Sequence, residues 1–236
     1  MPPGDRPQVL LVGVGRGPWQ DVSSTSRTGE LLAVAVDDPA AADELVALLA
    51  GAKHPQAGHV WIGETPLEEL TIAARRSAVL VMPHETYVPE GTLRSVVDPA
   101  GQLSPERLEQ VLAASAAEDV VALHAAGLDH AVRARGSSLS GDQRQRLSLA
   151  RALAVDPPVL VLHDPTSAVD AVTEQRVAAG LRELRQESGA TIVITSSPPL
   201  LAAADRVIWI RAGRVLGRGT HAELLVQDAY REAVLR

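Results

Sequence analysis

The chain has 236 residues, of which 46% are hydrophobic and 22% charged, and this length and composition suffice to bury a full core, which excludes a mainly disordered protein. Its formal net charge of −7 and its lack of a Lys/Arg run argue against a nucleic-acid-binding protein, since phosphate contacts need a basic surface. It contains no cysteine, which excludes disulfides and thiolate metal sites and fits a reducing cytosol.

The start of the chain carries no sign of secretion. Residues 1–5 lack the basic and apolar regions of a signal peptide. No apolar run in the sequence approaches the roughly 20 residues that a helix needs to cross a bilayer. We therefore expect a soluble chain.

Short apolar runs bounded by Gly, Pro or Asp recur along the chain, with helix-like segments between them. The runs lie at residues 31–36, 78–81, 159–162, 191–195 and 206–210. This alternation predicts an α/β protein with a largely parallel sheet. The strongest loop signals lie at residues 13–18, 23–29 and 196–199.

Two further signals mark the ends of elements. Ser104 and Pro105 predict a helix start, because the serine can cap and the proline gives up no hydrogen bond in the first turn; from there to about Leu153 the chain should be mostly helical. Near the C-terminus, residues 207–210 and 215–216 flank a four-residue turn in which Gly213 is available for positive φ, which predicts a hairpin. Together these signals predict a sheet core interrupted by a helical insert.

The most specific motif is Leu-Ser-Gly-Asp-Gln-Arg-Gln-Arg at residues 139–146, which closely resembles the signature loop and helix of ATP-binding cassette (ABC) transporters. In that family the signature Ser and Gly bind the γ-phosphate of a nucleotide held by the opposite subunit of a dimer. The resemblance therefore implies a role in trans for Ser140, Gly141 and Gln143. Asp142 replaces the second Gly of the family's Leu-Ser-Gly-Gly-Gln and adds a carboxylate close to the partner's phosphates. The alternative interpretation is an ordinary amphipathic helix capped by Ser140.

The resemblance is to the nucleotide-binding domain of an ABC exporter, and it extends from about Val22 to Arg236 without a gap. It implies an α/β fold with a RecA-like P-loop NTPase core of the ABC ATPase type, an inserted helical subdomain and a β-rich N-terminal part. The core should comprise residues 1–83 and 155–236, and the helical signature subdomain residues 84–154.

The phosphate loop expected from the resemblance is degenerate. Residues 29–35 resemble the strand that enters a Walker A loop and residues 45–51 the helix that leaves it. In place of Gly-x-x-Gly-x-Gly-Lys-Ser-Thr the chain has Val36, Asp37, Asp38, Pro39, Ala40, Ala41, Ala42, Asp43 and Glu44. Pro39 has no N–H to offer a phosphate and Ala42 removes the cation. The acids add repulsion, of about 4 kcal/mol for two like charges in contact near a surface. We expect weak or no nucleotide binding at this loop.

Two other roles stay open for the acids of this loop. Asp43 and Glu44 can cap the following helix, because carboxylates favour a helix N-terminus. A metal bound by these acids is the weaker alternative, since no ordered ligand spacing supports it. We predict no metal site.

Most of the other catalytic positions of the family are changed as well. The resemblance places His84 at the Q-loop glutamine, His163 at the Walker B aspartate, Asp164 at the catalytic glutamate, Ser196 at the switch histidine, and Ser167 and Asp170 in an intact D-loop. The carboxylate of Asp164 sits on a shorter stem, which withdraws a general base from the water that it must reach. Trp19 lies too close to the loop to match the family's adenine-stacking aromatic, and we predict that it belongs to the core.

The resemblance thus implies a degenerate cassette of a heteromeric ABC exporter at the cytoplasmic face of the cell membrane. Its partners would be a second cassette, forming a heterodimer, and a transmembrane domain. ATP and Mg²⁺ would bind at the composite site, where the partner hydrolyses ATP. Residues 87–94 would receive the membrane domain or, alternatively, close the hinge of the helical subdomain. Two other functions stay open: a soluble pseudo-ATPase that regulates or scaffolds a partner, and an active enzyme, which would need a cation that residues 36–44 lack.

Overall fold

The computed structural model of the protein describes residues 7–235, so the prediction about a signal peptide over residues 1–5 lies outside the described residues. The strands are β1 (Pro7–Arg16), β2 (Trp19–Arg27), β3 (Leu31–Val36), β4 (Ala57–Ile62), β5 (Thr65–Pro66), β6 (Val79–Met82), β7 (Gly91–Thr92), β8 (Ala131–Val132), β9 (Val159–His163), β10 (Ala190–Ile194), β11 (Arg206–Arg211) and β12 (Arg214–Gly219). The α-helices are α1 (Pro39–Leu49), α2 (Ile72–Ala78), α3 (Leu93–Val97), α4 (Pro105–Ala114), α5 (Glu118–Ala122), α6 (Gly141–Val155), α7 (Ala171–Arg185), α8 (Pro198–Ala203), α9 (His221–Leu224) and α10 (Asp228–Val234). Short 3₁₀ turns lie at Leu67–Glu69, Gly127–Asp129 and Ala134–Gly136.

The strands form three sheets. The largest has six strands in the order β12-β11-β3-β10-β9-β6, and all of its pairs are parallel except that of β11 with β12. An antiparallel sheet of the order β2-β1-β4-β5 contains the N-terminal strands. A small antiparallel pair, β7 with β8, lies within the helical region and joins the segment before α3 to the segment before α6. The predicted α/β architecture with a largely parallel sheet is confirmed.

Both faces of the central strands β3, β9 and β10 are buried, which is why these strands are mostly apolar rather than alternating. On β3, Leu31, Ala33 and Ala35 face a cluster formed with α3, α4, α6, α7 and α8. Leu32 and Val34 face a second cluster that contains α1 and the inner side of the N-terminal sheet. The sheet therefore separates the signature region from the N-terminal β part.

Several local predictions are confirmed. Ser104 caps α4, its hydroxyl accepting from the Arg107 N–H at 3.2 Å, and Pro105 occupies the first turn. The C-terminal hairpin is present, but its turn contains only Ala212 and Gly213, at φ of +48° and +74°. Positive φ at both positions is typical of the tight turns that match strand twist.

Two of the loop predictions are wrong. Most of residues 13–18 belongs to β1 and most of residues 23–29 to β2, which pair along their length. Gly13, at φ of +57°, marks an irregularity in the register of β1 rather than a loop. The prediction of a loop at residues 196–199 is confirmed only for its first two residues, because Ser197 caps α8, which begins at Pro198.

Residues 84–154 contain α3, α4, α5, nearly all of α6 and the β7–β8 pair, which the sequence did not indicate. The division into a core and a signature subdomain stays a prediction. Within residues 7–235, no helix combines the length and the apolar character needed to span a membrane.

Candidate functional site

The predicted phosphate loop is largely helical. β3 ends at Val36 and α1 begins at Pro39, so only Asp37 and Asp38 separate strand from helix. The carboxylate of Asp38 caps the helix and accepts a hydrogen bond from the Ala40 N–H at 3.0 Å. The N-terminus of α1 is therefore closed by a carboxylate of the chain itself, at the place where a phosphate-binding loop would present open N–H groups.

The alternative prediction that Asp43 and Glu44 cap this helix is wrong. The cap is Asp38, and no acidic residue lies in the first turn of α1. The helix starts early because Pro39 has the φ that a first helical position requires and Asp38 has a short side chain that reaches the N–H groups. Asp43 and Glu44 consequently lie in the second turn.

Ala42, which the resemblance places at the family's lysine, is only 6% exposed. Its methyl group and that of Ala41 pack in the cluster below the N-terminal sheet. A lysine at this position would have to carry its ammonium out of an apolar core, which is costly without a partner.

Two acids of the predicted loop are paired with cations that are remote in sequence. Asp37 Oδ2 lies 3.2 Å from Arg211 Nε. Glu44 Oε1 accepts from Arg16 Nε at 2.6 Å, and its other oxygen pairs with Lys53. The hydrogen bond from Lys53 lowers the pKa of Glu44, with help from Arg16. The negative charge of the loop is thus partly balanced within the chain.

Four predicted site residues lie together at the end of β9. His163 Nδ1 is 3.6 Å from Asp43 Oδ1, and its Nε2 is 3.8 Å from Asp164 Oδ2. The rings of His84 and His163 have centroids 5.7 Å apart. Because the two carboxylates lie at opposite nitrogens of one imidazole, they do not converge on a common point. No group of three or more His, Cys, Asp or Glu side chains in the described part of the chain is arranged to hold a metal ion.

Ser196, which the resemblance places at the switch histidine, lies nearby. Ser196 is exposed just after β10, and it lines a cleft together with Asp164 and Ser167. Ser196 has a hydroxyl in place of an imidazole, so it cannot act as a general acid or base near neutral pH. Trp19 is buried in the core, as predicted.

The signature segment forms the start of α6. Ser140 is the cap: its hydroxyl accepts from the Gln143 N–H at 3.4 Å, and the Gln143 Oε1 accepts from the Ser140 N–H at 3.0 Å. This reciprocal pair is a capping box. The predicted cap is therefore confirmed, and it is compatible with a role in trans because Ser140 and Gly141 are both exposed.

Asp142 is engaged within the chain rather than presented as a bare charge. It accepts hydrogen bonds from the Ser140 hydroxyl and from Arg146 Nη2, the latter at 2.5 Å. Partial burial raises the pKa of this carboxyl, but these two donors outweigh burial and lower it. Arg146 is itself buried and also donates to the Ala116 carbonyl at 2.9 Å. Sequence reasoning missed Arg146, although a charged residue on the buried face of an amphipathic helix is a signal for such a pair.

The predicted D-loop follows β9 and leads into α7. Asp170 caps α7 by accepting from the N–H groups of Val172 at 2.9 Å and Thr173 at 3.0 Å. Ser167 accepts a hydrogen bond at 3.0 Å from Gln145, a buried residue of α6 that the sequence did not single out. The D-loop and the signature helix are therefore in direct contact.

Comparison with known proteins assigns the fold and the family. Residues 20–167 match the family described as ABC transporter. The chain is 36% identical over 220 residues to the beta-(1→2)glucan export ATP-binding/permease protein NdvA of Rhodopseudomonas palustris, covering 92% of this chain and 36% of that protein. It is 32% identical over 213 residues to the ATP-dependent lipid A-core flippase of Burkholderia pseudomallei, covering 90% of this chain and 36% of the flippase. The chain thus spans little more than a third of these relatives.

A solved structure agrees with the sequence comparison. A bacterial Atm1-family ABC exporter with ATP bound superposes with a TM-score of 0.86 at 26% identity, covering 98% of this chain and 42% of that chain. The predicted fold of an ABC ATPase domain is confirmed. Such domains have ATP with Mg²⁺ as their ligands, which is what the family implies for cofactors. The chain belongs to the ABC transporter family.

Proposed function

We propose that this chain is a cassette of an ABC exporter built from two unlike cassettes, in which it supplies its signature loop to a nucleotide held by the partner. The observation that carries the proposal is a contrast between two helix N-termini. That of α1 is capped by the carboxylate of Asp38, whereas that of α6 is capped by the neutral hydroxyl of Ser140 and its one first-turn carboxylate, Asp142, is paired with Arg146. Only the second is suited to receive an anion from outside the chain.

The residues of the chain's own loop do not fit a nucleoside triphosphate with Mg²⁺. Asp38 already takes the place of an anion at the helix N-terminus, Pro39 has no N–H, and the methyl group of Ala42 is buried. His163 lies at the position of the metal-linked acid, between two carboxylates. We therefore assign no step of ATP hydrolysis to residues 36–44, and we regard Asp164 as inert.

The start of α6 retains what phosphate binding needs. The Ser140 hydroxyl accepts only from the Gln143 N–H. The other N–H groups of a first helical turn have no intrahelical acceptor, and the helix dipole favours an anion there. Arg146 offsets the charge of Asp142, so a partner's phosphate would not meet a bare carboxylate. The partner would supply its own phosphate loop, acid and Mg²⁺ ligands, and hydrolysis at this composite site would drive transport.

An exposed apolar groove supports docking of a transmembrane domain. Tyr87 is 70% exposed and lies in the groove with Leu80, Pro83 and Val155. An exposed aromatic in a groove is typical of a contact surface rather than of an isolated surface residue. Val88, by contrast, is buried, so only Tyr87 of this pair is available. This docking would place the chain at the cytoplasmic face of the membrane.

The decisive test is ATPase activity of the assembled exporter with Ser140→Arg in this chain. We expect activity to be abolished, because the large cation would occupy the start of α6. Ser137→Arg, at an exposed serine three residues earlier, is the matched control and should retain activity. Asp164→Asn should also retain it. Full activity of Ser140→Arg would refute the trans role, and inactivity of Asp164→Asn would mean that the chain's own site hydrolyses ATP.

A direct binding measurement tests the second half of the proposal. Calorimetric titration of Mg-ATP into this chain alone should give no heat of binding and no thermal stabilisation. Clear binding with one nucleotide per chain would contradict an inert phosphate loop.

A further inference from the structure

The amide of Gln145 joins the signature helix to the D-loop. Gln145 is 3% exposed. Its Nε2 donates to the Asp164 carbonyl and to Ser167 Oγ, each at 3.0 Å. Its Oε1 accepts from the Ala168 N–H at 2.7 Å. Both donor hydrogens and the acceptor of one side chain are thus used by a single five-residue loop, residues 164–168.

The two segments that this amide joins are remote in sequence but adjacent in space. Gln145 lies in the second turn of α6, whose rigid first turn carries Ser140 and Gly141. A side chain built at Gly141 would place its Cβ 4.0 Å from that of Ala168, so the signature loop lies close to the D-loop. A satisfied buried amide fixes their relative position more strictly than apolar packing would, because hydrogen bonds are directional.

We propose that Gln145 is a positioning residue that makes the signature loop and residues 164–168 one rigid surface for the partner cassette. This inference rests on the proposed function, in which both segments face the partner's nucleotide. If the two loops moved independently, each would have to be ordered when the cassettes close, at a cost in conformational entropy. The amide removes that cost in advance, so that closure brings both loops into place together.

A purely structural role for Gln145 predicts a different result. A buried, fully bonded amide would then stabilise the fold, and its loss would lower activity only by lowering the folded fraction. A positioning role instead lowers turnover of folded protein. Because nucleotide first binds to the partner's own loop, the KM for ATP should change little.

The test is steady-state ATPase kinetics of the assembled exporter carrying Gln145→Leu, which keeps the side-chain volume and removes all three hydrogen bonds. We expect kcat to fall about tenfold while KM stays within about twofold. Gln145→Glu keeps an acceptor for the Ala168 N–H but faces the Asp164 carbonyl with an oxygen. Its kcat should therefore fall as much as that of Gln145→Leu. Ser115→Ala is the matched control, because it removes a buried side chain with two hydrogen bonds, to the carbonyls of residues 111 and 112, and touches neither loop.

A double-mutant cycle identifies the contact. Ser167→Ala alone should lower kcat, and it should have little further effect in the Gln145→Leu background, since both changes break the same bond. Additive losses would overturn the proposal, as would an equal loss of kcat in Ser115→Ala or unchanged kcat in Gln145→Leu. If Ser140→Arg is inactive while Gln145→Leu is fully active, the positioning role of Gln145 is refuted and the trans role of the signature loop is not. If Ser140→Arg is itself active, the trans role is refuted, and the positioning role of Gln145, which rests on it, is refuted as well.

Discussion

The guanidinium of Arg185 is the most heavily bonded buried charge around the C-terminal end of α6, and its removal gives a sharp test of the packing. Arg185 lies on α7 and is 2% exposed. It donates to Thr191 Oγ1 at 3.1 Å and to the Pro157 carbonyl at 2.9 Å, and it pairs with Asp156. One side chain thereby ties α7 to β10 and to the segment between α6 and β9.

The expected effect of Arg185→Met follows from these partners. The Pro157 carbonyl and the Thr191 hydroxyl would lose buried donors, at about 1–3 kcal/mol each. Asp156 would add little, because its side chain is 41% exposed and water can replace the guanidinium. Burial lowers the pKa of Arg185, so removing the charge also relieves a desolvation cost. We expect a net loss of about 2–4 kcal/mol in the free energy of unfolding.

Urea unfolding followed by circular dichroism measures this loss. The matched control is Arg182→Met on the same helix, where the guanidinium pairs with Asp205 at 2.6 Å but is 49% exposed. That change should cost less than about 1 kcal/mol. Arg185→Lys keeps the charge but not the planar guanidinium, so its loss in the free energy of unfolding should lie between those of Arg185→Met and Arg182→Met. If Arg185→Met is no more destabilising than Arg182→Met, the buried network does not stabilise the fold as argued.

Two further predictions concern backbone strain and pH. Gly213→Ala should lower the free energy of unfolding by about 1–3 kcal/mol more than Gly63→Ala. Both glycines have positive φ, but only at Gly213 would a Cβ meet backbone, 1.4 Å from the Pro18 oxygen. Equal losses in urea unfolding would show that the turn moves aside freely. The free energy of unfolding should fall as pH is lowered from about 7.5 to about 5.5, because burial holds the pKa of His221 below 6.5 and the folded state then binds fewer protons than the unfolded chain. His221→Gln should reduce this slope, and an unchanged slope would exclude His221 as its source.

Local signals in the sequence were enough for much of the fold. The apolar run at residues 31–36 becomes a strand buried on both faces, and Ser104 begins a helix. Gly213 makes a tight turn. Each of these depends on a few neighbouring residues whose conformational preferences agree with one another. The hydroxyl residues at positions 23–26 instead favour a loop, and they form a strand because β1 lies beside them, which no local pattern reveals.

The candidate site was likewise determined partly by the sequence and partly by the tertiary structure. The sequence by itself determined that residues 36–44 contain no lysine and no glycine, that Ser140 can cap α6, and that the motif order is that of the ABC family. The contacts of Asp38 with Ala40 and of Asp142 with Arg146 are local, spanning two and four residues, whereas only the tertiary structure decided that Gln145 holds the D-loop. Residue types and spacing are properties of a chain, whereas hydrogen bonds of about 3 Å between residues some 20 positions apart exist only after the core has brought their elements together.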